Sequence, residues 1–397
     1  MNRAVRNAAY AHLVLSQWLP VSGLAAAIVL AIAHGGPSAL DLALFGVFWL
    51  PTLIGIEVGY HRFLSHRSFR AHRAFEAFLV IAGSMSFQGP GLWWAAVHRT
   101  HHKLADRTGD PHSPHLHGGG LRGWLAGFWH AHWAWNRDAY EGVRDNAPWK
   151  PFVPDLLAER WLCRINRGYM LWLAAGLVLP AAIGGIATGS AYGALTGFLW
   201  GACVRLFAVN QAINALNSLC HAFGSRPFGL HCRDRSTNLW LLAISTFGAS
   251  FHHNHHVFPG SATTRIEWWQ LDPGGILLAV LERLGVVWDR GSPSASDPAW
   301  RRRVVARVGD RVASLSGLSE RSAFVDLGLP ASRYAPGERI ELRQLAATDV
   351  DTPVTELDAV VERVSWQGVN IAFESPALGA LRRGQTTTSA PSGPAIT

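Results

Sequence analysis

The feature of this sequence that could carry chemistry is its histidines, which recur in three clusters. The first cluster is a pair five residues apart, and each of the other two places histidines at positions i, i+3 and i+4. The members are His61, His66, His98, His101, His102, His252, His255 and His256. Residues at i, i+3 and i+4 share one face of a helix, so each of the later clusters is predicted to aim three imidazoles in one direction.

The first cluster and two further residues need separate treatment. His61 and His66 do not share a helical face neatly, and we expect a local break in the helix that turns both rings inward. His221, four residues after Asn217, is a further candidate ligand at the end of another apolar run. His253 falls between the ligand-facing positions of its cluster and is expected to point elsewhere.

The number of histidines indicates two metal ions. A single zinc ion takes about four ligands, whereas the clusters and His221 together supply nine imidazoles. Imidazole suits iron, zinc and copper, so the spacing leaves the metal open. Ligating rings must be neutral, and we therefore expect acidic pH to release the metal. The histidines of the proline-containing loop 110–117, with His130 and His132 after it, are interpreted as bystanders of an irregular connector.

Four apolar runs are predicted to place these histidines at a membrane surface. Only 16% of the residues are charged, against about 25% in an ordinary soluble domain. The stretch 14–60 is divided by residues 34–38, and the stretch 170–225, whose one charge is Arg205, is divided near residues 189–193. Each resulting run has about the 20 residues that a membrane helix needs. The sequence thus predicts an all-α membrane protein with four transmembrane helices in two hairpins.

Basic residues predict the orientation of these helices. Residues 61–169 contain fourteen Lys and Arg, whereas the two short connections contain none. The positive-inside rule therefore places the long segments, both termini and the active site in the cytoplasm of a multi-pass inner-membrane protein. Two shorter apolar segments, 74–97 and 238–251, are expected to lie at the interface or to be re-entrant.

The last hundred residues differ in kind. We expect a linker at 291–299, a soluble tail at 300–384 and a disordered end at 385–397. Within the tail, a basic helical stretch at 300–312 and a small β-rich module are predicted. The strand-like runs are 323–327, 339–343, 359–366 and 369–373, the last two separated by the turn residues Gln367-Gly368.

The arginines of the tail have two interpretations. The spacing of Arg303 and Arg307, together with the strand runs, resembles a degenerate PilZ module, a type that binds cyclic di-GMP. The segment 326–331 departs from the second PilZ motif. A basic helix that contacts lipid headgroups would explain the arginines equally well.

Cysteine usage and net charge exclude other classes. The four cysteines form no C-x-x-C pair, which argues against a zinc knuckle or an iron-sulfur cluster. The net charge of +8 could suggest nucleic acid, but the basic residues lie beside apolar runs and form no groove-binding motif. We therefore expect a lipid bilayer as the partner and no nucleic acid.

At the histidines the sequence resembles the membrane fatty acyl desaturases of the stearoyl-CoA type, over about residues 1–290. The matching strings are His61-Arg-Phe-Leu-Ser-His66, His98-Arg-Thr-His-His-Lys103, Asn217-Ser-Leu-Cys-His221 and His252-His-Asn-His-His256. The resemblance implies a cytoplasmic helical cap carrying two iron ions, with Asn217 reaching one of them through water. The implied ligands are His61, His66, His98, His101, His102, His221, His252, His255 and His256.

The resemblance also implies a reaction. A cis double bond, at Δ9, would be introduced into a saturated acyl chain while O2 is reduced to water, with acyl-CoA as the substrate form. Gln88 and Trp94 match positions that line the bend of the family's substrate tunnel. Because the sequence has no haem, flavin or ferredoxin motif of its own, the two electrons would come from a separate ferredoxin, flavodoxin or reductase. An acyl-lipid desaturase, a fatty acyl or alkane hydroxylase and a non-catalytic membrane metal-binding protein remain as alternatives.

Two departures from the family pattern affect substrate and metal. Where the animal acyl-CoA enzymes have charged residues that help to hold CoA, this chain has Ala95, Ala96 and Val97. The family often has Gly-Glu before the third cluster, and here the segment is 248–251, Gly-Ala-Ser-Phe. The second change removes a carboxylate that could support a metal ligand.

Overall fold

A computed structural model describes residues 3–137, 149–227 and 234–292, and six strands between Val304 and Phe373. Contacts divide the chain into two units, one formed by Met1–Ser225 and Arg235–Ser292, the other by Arg226–Asp234 and Pro293–Thr397. Most of the predicted linker, Arg303 and the end predicted to be disordered lie outside the described residues.

The first unit is helical. Its helices are α1 (Arg3–His34), α2 (Ala39–Ile54), α3 (Arg73–Ser84), α4 (Gly91–Leu104), α5 (Gly120–Trp129), α6 (Pro154–Ala158), α7 (Arg160–Arg167), α8 (Tyr169–Thr188), α9 (Ala191–Phe198), α10 (Arg205–Ser218), α11 (His252–Val257) and α12 (Pro273–Arg283). π-Helical segments continue α2 (Gly55–Ser65), follow α5 (His130–Ala134) and join α9 to α10 (Leu199–Val204). Short 3-10 turns occur at Lys150–Phe152, Leu219–His221 and Trp240–Leu242.

Four of the described helical stretches are long and apolar enough to cross a membrane. They are Tyr10–His34, Ala39–Ser65, Tyr169–Thr188 and Ala191–His221, and they confirm the four predicted spans. Because the connections within each pair are short, the ends that carry the histidines lie on one side of the bundle.

Local backbone chemistry explains the breaks between the paired spans. Ser38 begins α2 with a capping box, in which its hydroxyl accepts the Asp41 backbone N–H and the Asp41 carboxylate accepts the Ser38 N–H. Gly189 ends α8 in the left-handed conformation, with φ of 63°, which glycine adopts without steric cost. The Ser190 hydroxyl then accepts the Gly193 N–H at the start of α9.

Arg205 lies fully buried in the fourth span and donates to backbone carbonyls and to one hydroxyl. It donates to the Gly176 carbonyl at 2.8 Å, the Met85 carbonyl at 2.8 Å and the Thr52 hydroxyl at 2.9 Å. Pro180 has no N–H to donate to Gly176 four residues earlier, so the guanidinium supplies the missing donor. Arg205 therefore ties three spans together as a structural residue.

The core beneath the histidines forms where α3 packs against the π-helical end of the second span. Gly55 and Gly83 lie in direct backbone contact, and a Cβ on Gly55 would overlap the backbone at Ala82 and Gly83. The Tyr60 hydroxyl lies 2.9 Å from that of Ser84 in this core. This close packing fixes the backbone that presents His61.

Eight strands are described in the chain. β1 (Arg70–Ala71) pairs antiparallel with β2 (Val287–Trp288) in the first unit. The second unit contains β3 (Val304–Val308), β4 (Arg311–Ser316), β5 (Ser322–Asp326), β6 (Arg339–Ala347), β7 (Leu357–Val364) and β8 (Gly368–Phe373). These six pair in the order β3-β4-β5-β8-β7-β6 and close as a barrel.

The predicted basic helix at 300–312 is wrong for its described part. Val304–Val308 and Arg311–Ser316 are strands that pair with each other. The segment is rich in valine, whose branched Cβ suits a strand better than a helix. The other strand-like runs of the sequence overlap β5 to β8.

Candidate metal centre

Nine largely buried histidines form two groups whose ring nitrogens converge. The first group, site A, consists of His61, His66, His98, His102 and His255. The second group, site B, consists of His101, His221, His252 and His256. Within each group the candidate ligand atoms lie within 4.8 Å of one another. All nine residues expected from the sequence are therefore brought together.

The nitrogen spacing fits shared metal ions. In site A, the Nε2 atom of His255 lies 2.9 Å from that of His61 and 2.9 Å from that of His102. In site B, the Nε2 atom of His252 lies 3.1 Å from those of His221 and His256. Two nitrogens bound at a right angle to one metal ion, each at about 2.1 Å, would be about 3.0 Å apart.

Carboxylates fix the orientation of three of these rings. Nδ1 of His61 donates to Glu57 at 3.0 Å, and Nδ1 of His101 donates to Asp110 at 2.9 Å. Nδ1 of His221 donates to Asp106 at 3.0 Å. Since a ring whose Nδ1 carries the proton has a bare lone pair on Nε2, these three Nε2 atoms are suited to bind a cation.

The two aspartates of site B are ionised. Burial raises the pKa of Asp106, whereas the charge and hydrogen bond of His221 lower it. The lowering is the larger effect, so the pKa of Asp106 lies below its ordinary range. His101 has the same effect on the pKa of buried Asp110. An ionised carboxylate accepts hydrogen bonds only, which fixes the proton on Nδ1 of each histidine.

Burial also keeps several of the imidazole rings in the neutral form. Burial, followed by the charge of neighbouring histidines, lowers the pKa of His98, His102 and His255 well below the ordinary value. The same causes act on His252. Neutral imidazole is the form that binds a metal ion.

One unpaired nitrogen supports the fit to a metal, and a second marks a ligand without a supporting partner. Nε2 of His101 is buried and has no hydrogen-bond partner among the described residues, and it belongs to site B. Nδ1 of His252 is likewise buried without a partner in the described part of the chain. His252 directly follows segment 248–251, in which the sequence lacks the carboxylate that is common in the family and that could accept from this Nδ1.

Each i, i+3, i+4 cluster divides between the two sites. His98 and His102 belong to site A, whereas His101 between them belongs to site B. His252 and His256 belong to site B, and His255 to site A. In a helix of 3.6 residues per turn, i and i+4 differ by about 40°, whereas i+3 points about 60° to the other side. The prediction that each cluster aims its three imidazoles in one direction is therefore wrong, because each cluster supplies ligands to both sites.

The local break expected near the first cluster is a π-helix. The segment Gly55–Ser65 has the wider turn with i to i+5 bonding, and the His66 N–H continues it by donating to the His61 carbonyl at 3.2 Å. This turn brings residues five apart onto one face, and the two rings lie 5.1 Å apart. His253, as expected, belongs to neither site and lies near Ser236.

Two of the loop histidines interpreted as bystanders, His112 and His115, contact residues of site B. The buried His112 ring lies 4.1 Å from that of His101, and these two residues with Asp110 form a third group of potential ligands. His115 donates from Nε2 to the His221 carbonyl at 2.7 Å. His132 lies 2.9 Å from Gln211. The interpretation as an irregular connector missed this packing, and neither the prolines nor the spacing signals it.

The three supporting carboxylates were also missed, although the sequence contains a partial signal. Glu57 is a rare charge within an apolar run and precedes His61 by one helical turn. Asp106 and Asp110 follow the second cluster but show no periodic relation to it.

Trp94 and Gln88 lie directly beside site A. The Trp94 ring stacks on His98 with centroids 5.2 Å apart, and its indole N–H donates to the Gln88 side-chain oxygen at 3.1 Å. Gln88 in turn donates to Asn210 at 3.2 Å and lines a small open cleft. The other lining residues include Ser16, Gln17, Phe87, Asn136, Phe207, Gln211 and Asn214.

Comparison with known proteins agrees with this geometry. The model of the fatty acid desaturase family matches residues 39–290. The chain belongs to this family. Its members are oxidoreductases that act on fatty acids and are generally di-iron dependent, and the two histidine groups fit metal binding.

Curated desaturase relatives act on differently attached acyl chains. The chain is 40% identical over 287 residues to a hex-5-enoyl-[acyl-carrier protein] acetylenase of Moorena producens, covering 72% of this chain and 87% of the relative. It is 33% identical to Delta-9 acyl-lipid desaturase 1 of Arabidopsis thaliana, covering 63% and 74%. It is 32% identical to an sn-1 stearoyl-lipid 9-desaturase of Anabaena variabilis, covering 63% and 85%.

Proposed function

We propose that this protein is an O2-dependent desaturase that introduces a cis double bond, at Δ9, into a saturated acyl chain carried as acyl-CoA. The observation that carries the proposal is the convergence of nine imidazoles in two groups beside Trp94. Family membership supports the reaction class. The Δ9 position is supported by relatives named as Δ9 desaturases.

The proposed ligands would hold two iron ions. Five imidazoles of site A and four of site B would provide the coordination, and Asn217 would reach one of the two ions through water. Two iron ions with O2 would supply the oxidant needed to remove hydrogen from an unactivated methylene, which acid and base side chains cannot do. The chain's own contribution is to keep the imidazoles neutral, oriented and largely shielded from water.

Trp94 and Gln88 are proposed to position the substrate. The Trp94 ring covers the His98 ring, so a chain that passes along this indole would run beside site A. The hydrogen bond to Gln88 fixes the indole plane. A rigid wall at this point would set which methylene reaches the metals.

The polar lining of the cleft beside Gln88 favours a thioester carrier over a bare acyl tail. The lining includes the amides of Gln17, Asn136, Asn210 and Asn214, which an acyl tail alone could not satisfy. The carrier arm shared by CoA and acyl-carrier protein has amide groups that could bind here.

Two of the three positions that lack a charge before the second cluster cannot reach a carrier headgroup in this structure. Ala95 and Ala96 are fully buried in α4 and so do not face a headgroup in this chain. Recognition of the carrier would therefore depend on other residues.

The remaining assignments follow the same proposal. The histidine-bearing side would face the cytoplasm from the inner membrane, and an external ferredoxin, flavodoxin or reductase would deliver electrons there. Residues 1–290 would form the desaturase domain, 291–299 a linker and 300–384 a soluble, PilZ-like tail. The valine-rich, strand-forming sequence between 304 and 373 supports a separate tail.

Expression in a host that lacks unsaturated fatty acids tests the function. Lipid profiling should find cis-Δ9 monoenes with the intact protein and none with the His255→Ala variant. Feeding labelled stearate as the CoA thioester, the carrier-protein thioester or the glycerolipid to membranes with a reducing system would identify the substrate form. Faster conversion of the glycerolipid would contradict the acyl-CoA assignment.

The alternatives predict different products. Recovery of only hydroxylated chains would indicate a hydroxylase on the same scaffold. A triple bond would indicate the reaction named for the Moorena producens relative. Purified protein with about two zinc ions and no O2 consumption would favour a non-catalytic metal-binding protein.

A further inference from the structure

A buried chain of charges connects site A to a distant segment of the fold. Both carboxylate oxygens of Glu57 lie 3.0 Å from Nδ1 of His61, and one of them accepts from Nε of Arg62 at 3.2 Å. Arg62 then donates two bonds to Asp272, at 2.8 and 3.2 Å. The side chains of Glu57, Arg62 and Asp272 are at most 2% exposed.

Asp272 is itself firmly held. Its carboxylate accepts the backbone N–H of Thr264 at 2.8 Å, the Gly275 N–H at 2.9 Å and the Thr263 hydroxyl at 2.9 Å. Burial raises the pKa of Asp272, but the charge and hydrogen bond of Arg62 lower it below its ordinary range. The residue therefore presents a fixed negative charge to the guanidinium.

Arg62 connects the negative charge of Asp272 to the hydrogen bond between Glu57 and His61 of site A. A buried arginine without Asp272 would compete with Nδ1 of His61 for the Glu57 carboxylate, because Glu57 would be its remaining ionic partner. With Asp272 present, Nη1 and Nη2 are held by Asp272 and the Ala262 carbonyl, so that only Nε reaches Glu57 and both oxygens of Glu57 stay within reach of Nδ1 of His61.

We propose that Asp272, acting through Arg62 and Glu57, is a positioning residue that orients His61 and sets the metal affinity of site A. The inference rests on the proposed metal ligation and adds a determinant that does not contact the metal. Partners of metal ligands typically change metal affinity by about 10- to 100-fold when they are removed. Because Asp272 acts through two intervening residues, we expect an effect of about tenfold, at the lower end of that range.

The test is metal retention by the full-length protein in detergent. Wild-type protein loaded with iron(II) without oxygen is titrated with a chelator, and bound metal is counted by mass spectrometry. In Asp272→Asn, one of two ions should be lost at about tenfold lower chelator concentration, and the other should be unchanged. Asparagine keeps an oxygen that can cap α12, so this variant removes mainly the charge.

Matched variants separate positioning from folding. Thr263→Val removes another hydrogen bond of Asp272 but leaves the pair with Arg62, and it should retain both ions like the wild type. Glu57→Gln should lose the same ion as Asp272→Asn, by a larger factor. In a His255→Ala background, which already disrupts site A, Asp272→Asn should have no further effect on metal binding.

Other outcomes would overturn the proposal. The proposal would be contradicted if Asp272→Asn lost metal at the same chelator concentrations as the wild type, or if it lost both ions equally. If that variant does not fold, Arg62→Lys, which keeps the charge but loses the bidentate bond, must show the selective loss instead. A wild-type protein that binds two ions but makes no desaturated product would refute the proposed function while leaving this inference intact.

Discussion

The Nε2 atoms of His61 and His255 lie 2.9 Å apart, although 194 positions separate the two residues in the chain. His61 lies on the π-helical end of the second span, and His255 lies on the short helix α11. Two imidazole nitrogens this close either share a proton or bind one cation together, and Glu57, which accepts from Nδ1 of His61, leaves the His61 Nε2 lone pair free for the cation. The contact therefore links the architecture of the bundle to metal binding.

Removing one histidine should empty one site only. We expect His255→Ala to lose the site A ion and His252→Ala to lose the site B ion, because each group has its own ligands. Both variants should lose product entirely while still inserting into the membrane. Metal counts and lipid profiles check this, with His253→Gln, which changes a histidine outside both groups, as the control. Wild-type turnover by either alanine variant would refute the ligand assignment.

The carboxylate behind His101 should control site B. Asp110→Asn removes the charge that fixes the Nδ1 proton of His101, and the affinity of site B should fall by about 10- to 100-fold. Chelator titration of the purified protein measures this change. Asp289→Asn, which alters an exposed carboxylate near Arg70, should leave the curve unchanged. Unchanged metal affinity in Asp110→Asn would show that the hydrogen bond is dispensable.

The indole of Trp94 should affect where the double bond forms. Trp94→Phe keeps a ring on His98 but loses the hydrogen bond to Gln88, so we expect products with mixed double-bond positions. Gln88→Leu should have a similar effect because it removes the same bond. Gas chromatography of products from saturated chains of different length measures the distribution. A wild-type distribution in both variants, matching a Trp93→Phe control, would argue against a substrate role.

Arg205 should prove structural. Arg205→Leu leaves the carbonyls of Gly176, Gly201 and Met85 without this donor, which should cost at least about 3 kcal/mol at roughly 1 kcal/mol or more for each. We expect a lower Tm in detergent, and a smaller loss for Arg205→Lys. If the Tm of Arg205→Leu were unchanged but product were lost, the residue would instead have a direct role in the reaction.

The sequence alone determined the residue types and the four apolar runs long enough to cross a membrane. Apolar runs of about 20 residues predict spans because the bilayer core has a fixed thickness. The spacings from His98 to His102 and from His252 to His256 already indicate a metal centre, since few other functions require so many imidazoles in register. These features are local and can be read without knowing which segments meet.

The tertiary structure decided how the nine histidines divide and what supports them. His101 and His255 go to different sites because a helix turns by about 100° per residue, and only the placement of α4 and α11 shows which site each ring reaches. The pairing of Arg62 with Asp272 joins residues 210 positions apart. No local pattern predicts it, because buried ion pairs depend on which segments pack together.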